Sequence, residues 1–455
     1  MSSLASIMDS SLGAMFAARV AMQTVGHNVA NVNTPGFSRQ EVLLAARRPL
    51  RLTYGTIGRG VEVQGIRRLT DQYLLANRRE QSSLLYSYAE VDGSLQEIEA
   101  IFGSVENDHL GDAITKYFSA WSDLATPPSD PSMKQAVLSA AQNLVADFHA
   151  MAENLDGLTK NLTVSLDQEV GRFNELLQQV AQLNRQLLSG RNIGTAANDI
   201  LDQRDLLIDE IAKLAQVTVV EREDYTVDVI MGGRTVVTRE YATQFETVWQ
   251  QEGSERRLSL VTMGHRKEVN LSQGAIEGML TSIETTINEA HTQLDSMAAL
   301  LADKVNELHV QGRSGGHSGL VFFTGDTAHT LNINPAILEN PDLIATSRSG
   351  VEGDNDLALA IAQLPDQPLD GEGSATMMDK YRSILVGLAS QRNRFEFLVA
   401  NQDNIVTAID SRLESVRGVS LDEEGANLVR FQNSYEAAAR IITAVQDMFE
   451  TLINM

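Results

Sequence analysis

Residues 421–455 read LDEEGANLVRFQNSYEAAARIITAVQDMFETLINM, and their spacing decides the fold. Leu428, Tyr435, Ile442 and Phe449 are seven apart. Phe431, Ala438, Val445 and Leu452 repeat that interval three residues on. This is the a/d seam of a helix that packs along its whole length. Ser420 and Glu423 make a capping-box pair, which predicts a helix start near Leu421. Burying a large apolar side chain contributes about 1.5–3 kcal/mol. Ordering any residue costs about 1–2 kcal/mol. One stripe on an isolated helix loses that contest, so the segment needs partners.

A matching stripe stands at the other end of the chain. Met1, Met8, Met15, Met22 and Val29 are seven apart, and Leu4, Ser11, Ala18 and Val25 fall three after the first four. The pattern breaks at Asn31, and Thr34-Pro35-Gly36 then signals a turn ahead of Phe37. The two ends are expected to pair as a long helical bundle or coiled coil. Assembly contacts are expected on both stripes and on Asn31, Pro35, Gly36 and Phe37.

Between the ends the period is mostly helical. Leu84, Tyr88, Val91, Leu95, Ile98 and Phe102 mark one helix, and Leu110, Ile114, Tyr117, Trp121 and Leu124 a second. Thr126–Pro131 breaks the chain, with Ser132 as the expected cap of a helix running to about Gly190. Residues 198–214, 276–308 and 375–416 are also expected to be helical. From Val217 to Leu271 short runs at strand spacing predict a small antiparallel β domain, with a hairpin signal at Gly232-Gly233. The fold class is therefore mainly α with a small inserted antiparallel β domain. Three parts follow: a discontinuous terminal coiled-coil domain (1–40 and 420–455), a discontinuous helical rod-like domain (41–215 and 273–419), and the β insertion (216–272).

The composition sets limits on function. The chain has 455 residues, 60 acidic and 36 basic, a formal charge of −24 and no Cys. A length above roughly 300 residues exceeds one core. Without Cys there is no disulfide framework, thiolate metal site or Cys nucleophile. The acidic balance argues against nucleic acid as a partner. No run approaches the length of a membrane span, and the first residues lack the basic and apolar regions of a secretory signal. Residues 1–80 carry ten Arg and five acids, a balance of +5, so the remainder carries −29. An Arg-rich segment beside acidic surface suits stacking of copies.

Motifs for chemistry are lacking. Gly312-Arg313-Ser314-Gly315-Gly316 matches the G-x-S-x-G pattern, but that elbow needs a strand before and a helix after, and here the order is reversed. The eight His show no zinc spacing. Asp202-Gln203-Arg204-Asp205 lies on an expected helix and reads as a solvated charged face. No enzyme, cofactor or metal is expected.

Asn28-Val29-Ala30-Asn31-Val32-Asn33-Thr34-Pro35-Gly36-Phe37 resembles the N-terminal signature of bacterial flagellar axial proteins. Ser38-Arg39-Gln40, the block from Gly418 to Glu424, and Asn427-Leu428, Phe431-Gln432 and Tyr435 are similar to its hook-associated protein 1 (FlgK) branch. So are Asp199–Asp205, Phe322-Phe323 and Gly353-Asp354-Asn355. Val416-Arg417 departs from the usual Ser before the Gly-Val, and the chain looks like a compact member with a reduced outer β domain. The resemblance implies a structural subunit at the hook–filament junction, in a ring of about eleven copies between the hook and hook-associated protein 3; head-to-tail contacts between copies are expected to generate a tube rather than a closed dimer. Its implied partners are copies of itself, hook protein, hook-associated protein 3, a cytosolic export chaperone and the flagellar type III export apparatus. The implied location is extracellular, in the flagellum, reached without a cleaved signal peptide. The alternative is another flagellar axial protein, either hook protein or hook-associated protein 3.

Overall fold

The computed structural model describes residues 2–52, 55–103, 109–189, 195–252, 255–314, 317–369 and 374–453. Helix α1 (Ser2–Ala30) is followed by an antiparallel pair, β1 (Gln40–Ala46) with β4 (Val61–Arg68). Their connection carries a smaller hairpin of β2 (Leu50–Leu52) and β3 (Gly55–Ile57). These four strands were not anticipated. The pairing register shifts between Leu43 and Leu44, and that bulge breaks the alternation a sequence reading relies on.

Helices α2 (Gln72–Phe102), α3 (His109–Leu124), α4 (Pro131–Leu188) and α5 (Thr195–Leu214) come next. The cap of α4 is Asp130 rather than the expected Ser132. Its carboxylate accepts from the Ser132 N–H at 2.8 Å, and Pro131, lacking an N–H, fits the first helical position.

The expected β segment is a four-stranded antiparallel sheet, β5 (Thr218–Glu221), β6 (Val227–Met231), β7 (Arg234–Thr238) and β8 (Tyr241–Ala242), plus a hairpin of β9 (Phe245–Glu252) and β10 (Glu255–Thr262). The expected run at Glu268–Leu271 reduces to a single bridge between Val261 and Glu268. Helix α6 (Ala275–Thr281) continues through a π-helical stretch, Ser282–Ile287, into α7 (Asn288–His309). Short strands and helices follow within 313–314 and 317–366, including α8 (Pro335–Glu339) and α9 (Asp356–Ala362). The long α10 (Met377–Arg417) and α11 (Leu421–Ile453) close the chain. Thr376 and Asp379 form a complete capping box at the start of α10.

Two large cores hold this framework. The first joins α3, the first half of α4, α7, α9 and the start of α10 around Tyr117, Trp121, Phe148, Phe322 and Phe323. The second joins the later half of α4 with α5, α6 and the inward residues of the β segment, including Val229, Val237 and Leu260. Phe173 of α4 packs on Phe245 of β9 with ring centroids 5.7 Å apart. Asn184 of α4 donates to the Val227 carbonyl at 2.9 Å and accepts from its N–H at 3.2 Å. Thus β6 is anchored to α4 by backbone recognition as well as apolar burial.

Candidate assembly site at the joined chain ends

Helices α1 and α11 pack side by side and run antiparallel, with Asn28 near the end of α1 touching Glu424 in the first turn of α11. Their contact line is built from small residues. Ala17, Ala18, Ala21 and Val25 are buried on α1, and Ala438 and Val445 on α11. Alanine lets the two backbones approach closely. The buried line therefore follows Ser11, Ala18 and Val25, and the row of larger side chains is displaced to its edge.

The sequence-predicted residues fall accordingly. Leu4, Met8, Met15 and Met22 are half-buried and Val29 is exposed. On α11, Leu428, Phe431, Tyr435, Ile442 and Phe449 are half-buried beside the fully covered Val445. The side chain of Leu452 lies outside the described residues, as does Met1. The outward faces carry further large apolar groups: Ile7, Leu12 and Phe16 on α1, and Val429, Ile441 and Met448 on α11. A helix pair with a thin alanine seam and apolar side chains on its outer face lacks part of its packing.

The turn after α1 is self-supporting. The Asn31 amide donates to the His27 carbonyl at 3.0 Å, and the Thr34 hydroxyl donates to Asn31 Oδ1 at 3.1 Å. Gly36 sits at φ 77°, in the left-handed region, with Leu206 of α5 at 3.4 Å from where a Cβ would stand. Pro35 is exposed beside it. Phe37 folds back edge-on to His27, with centroids 5.5 Å apart, and His27 Nε2 lies 3.1 Å from Asp199 Oδ1.

Beyond the turn the two chain ends are clasped. The Asn28 side chain accepts from the Gln40 N–H and donates to the Gln40 carbonyl, both at 2.9 Å. The same amide reaches Glu424 Oε2 at 3.2 Å. Arg39 grips Glu424 Oε1 at 2.8 Å and Glu423 Oε2 at 2.8 Å, so the Glu423 carboxylate serves Arg39 rather than completing a capping box. The Arg39 N–H also donates to the Arg417 carbonyl at 2.9 Å, tying the segment to the end of α10.

The segment Asp202–Asp205 is not a solvated face. Arg204 is 1% exposed and Asp202 6%. The Ser38 N–H donates to Asp202 Oδ2 at 2.9 Å, and Arg68 bridges Asp202 at 3.0 Å and Asp205 at 2.7 Å. Arg79 contacts Asp209 at 2.6 Å, and Arg78 joins Asp209 to Asp410 of α10. Burial pushes the Asp202 carboxyl up, against the pull of Ser38 and Arg68. Burial also opposes ionisation of Asp205, yet Arg68, Arg79 and Arg204 together hold its carboxyl below the ordinary range. Alternating charge along α5 carried no sign of burial, because the partners of its acids, Ser38, Arg68, Arg78 and Arg79, are supplied from more than a hundred residues away, and Arg204 is met by the Tyr225 carbonyl and Glu221 of the β segment. The arginines of the +5 segment explain where part of that charge goes.

Among the described residues, no group of three His, Asp or Glu could hold a metal ion, and no helix is long and apolar enough to cross a membrane. Ser314 lies in a two-residue strand of a tight hairpin, where its hydroxyl donates to the Asp342 carbonyl.

Comparison with known proteins converges on one group. Residues 95–323 match the model of the flagellar hook-associated protein FlgK helical domain. Residues 412–455 match the flagellar basal body rod FlgEFG protein C-terminal model, and residues 8–37 the flagella basal body rod protein model. Flagellar hook-associated protein 1 of Bacillus subtilis (strain 168) is 24% identical, covering 98% of this chain and 97% of that protein. The protein of the same name from Escherichia coli (strain K12) is 22% identical, covering 99% and 100%. The solved structure of the flagellar hook junction protein FlgK from Burkholderia pseudomallei shares the fold, with a TM-score of 0.64 at 16% identity, over 75% of this chain and 100% of that one.

Proposed function

From the premise that this chain belongs to the family of the flagellar hook-associated protein FlgK helical domain, we propose that its clasped ends seat it as a subunit of the hook–filament junction. The family is structural and not enzymatic, and its members work against other flagellar axial proteins. In our reading, about eleven copies close a ring on the hook tip by head-to-tail contacts. The ring stands between hook protein below and hook-associated protein 3 above. The chain reaches this extracellular position through the flagellar type III export apparatus, delivered by a cytosolic chaperone that binds near its C-terminus.

The observation that carries this reading is the Arg39–Glu424 clasp, set between two helices whose outer faces remain apolar. In the assembled ring those faces, with Leu4, Met8, Met15, Met22 and Val29 on α1 and Leu428, Tyr435, Ile442, Phe449 and Leu452 on α11, meet neighbouring subunits. The partition into a terminal domain (1–40 and 420–455), a helical domain (41–215 and 273–419) and a β region (216–272) follows the same logic, from the innermost layer outward.

Deletion of the gene in its source cell tests the function. The expected phenotype is intact hooks, no filaments and unpolymerised flagellin in the medium. Normal filaments would rule the junction role out.

A further inference from the structure

We infer that the subunit contains a flexion joint where its two cores meet, with the π-helical stretch Ser282–Ile287 as the pivot. The boundary passes through that stretch, because Ile283 belongs to the second core and Ile287 to the first. On α4 it falls between Leu158 and Leu166, and the half-buried Leu162 packs against both cores. On α10 the first-core residues Met377, Tyr381, Ile384 and Leu385 lie at one end, and Ile409 and Leu413 at the other pack with Leu74 and Leu75 of α2 in a separate small cluster. Val386 and Phe397 between them are exposed.

Two of the elements crossing this level are irregular there, while α2 and α10 pass it as continuous helices. A π-turn replaces α-helical hydrogen bonds with a wider, rarer pattern. On it, Ser282 Oγ and Glu284 Oε1 are buried without a hydrogen-bond partner, and unsatisfied buried groups cost free energy that a rearrangement can recover. On α4, the Thr159 and Thr163 hydroxyls donate to the carbonyls four residues back, Leu155 at 3.1 Å and Thr159 at 2.8 Å. Such back-bonding bends helices. Immediately before the pivot the chain is fixed. Gly278 approaches α2 so closely that a Cβ would stand 2.6 Å from the Ser87 carbonyl oxygen, and the Ser87 hydroxyl donates to Glu277 at 2.6 Å. Bending is thus confined to the residues after α6.

Beside the pivot is an open groove of about 690 Å³, lined among others by Asp156, Trp249, Arg256, Asn288 and His291. Rotation of one core against the other closes or widens it without breaking either core, which is hinge motion of two packed bodies. The joint is a property of the single chain and stands whether or not the junction reading does.

The absence of Cys makes the test direct. Nitroxide labels are placed on Asp303→Cys of α7 and Thr235→Cys of β7, one per core, and on a control pair, Lys116→Cys and Asp303→Cys, within the first core. Pulsed dipolar spectroscopy of the full chain should give a distance distribution about twofold broader across the boundary than within the core. Deleting Thr285 restores the α-helical period and should narrow the cross-boundary distribution to the control width. A wild-type cross-boundary distribution as narrow as the control overturns the joint whatever the deletion variant does.

Discussion

Arg39 and Glu424 are 385 residues apart in sequence and 2.8 Å apart in space. Glu424 is almost wholly enclosed there, and its carboxylate is met by Arg39 and the Asn28 amide. Breaking a buried pair from one side leaves an uncompensated charge and costs about 3–5 kcal/mol. Arg39→Ala is expected to loosen the pairing of α1 with α11 on that scale, read in assembled protein, where the pair is ordered, as faster amide exchange across residues 421–435. Glu424→Gln, which keeps one acceptor oxygen for Arg39 and leaves no unpaired carboxylate, but sets an NH2 against the Asn28 amide, should cost less.

The helix pair itself should be marginal without neighbours. Its seam is largely alanine, and helices in proteins owe most of their stability to tertiary packing. In dilute monomer, amides of residues 2–30 and 421–453 should exchange rapidly, while the first core around Trp121 and Phe148 stays protected. Strong protection at both ends of an isolated monomer would mean that assembly is not what orders them.

Asp205 is the counter-ion for three arginines, Arg68, Arg79 and Arg204. Removing it strands positive charge in the interior. Asp205→Ala should lower stability by about 3–5 kcal/mol in urea unfolding. The depressed carboxyl also fixes a sign: its contribution is complete above the ordinary carboxylate value of 3.8 and is lost as pH falls through the lower folded value.

Glu90 behaves in the opposite sense. Burial, and secondarily the charge of Glu169 on α4, raise its carboxyl from the ordinary 4.5 to about 6. Protonation therefore favours the folded state, and stability falls as pH rises from 4.5 through about 6. Glu90→Gln should stabilise by about 1 kcal/mol at pH 8, after allowance for solvent screening, and change nothing near pH 4. A stabilisation equal at both pH values would assign the effect to packing.

Gly278 is a packing glycine. A methyl group there meets the Ser87 carbonyl oxygen and the Glu90 Cβ, at 2.6 and 2.8 Å, with no flexible tip to yield at the backbone oxygen. Gly278→Ala should cost about 1–3 kcal/mol of stability through overpacking, measured by chemical denaturation.

Much of this architecture was legible in the chain. The seven-residue intervals of Phe431, Ala438 and Val445 located α11 and its buried line, because helical periodicity is a local signal. The same reading of α1 named two rows, of which the structure buries Ser11, Ala18 and Val25 together with Ala17 and Ala21, and leaves the methionine row at the edge. Strands β1 and β4 were hidden by a bulge. The burial of Asp202 and Arg204 was hidden more deeply, since Asp202 depends on Ser38 and Arg68 arriving from elsewhere, and Arg204 on Tyr225 and Glu221 of the β segment. The π-turn at Ser282–Ile287 left no mark, because the apolar spacing of Ile276, Leu280, Ile283 and Ile287 still fits one helical face.

The clasped ends, in our proposal, seat the subunit on the hook. A charge exchange tests it most directly, with filaments counted by electron microscopy in cells producing Glu424→Arg, Arg39→Glu or both together. Each single reversal should be secreted yet leave hooks bare, and the double exchange, which re-forms the pair with its charges swapped, should restore filaments. Normal filaments on hooks carrying either single reversal would contradict the account.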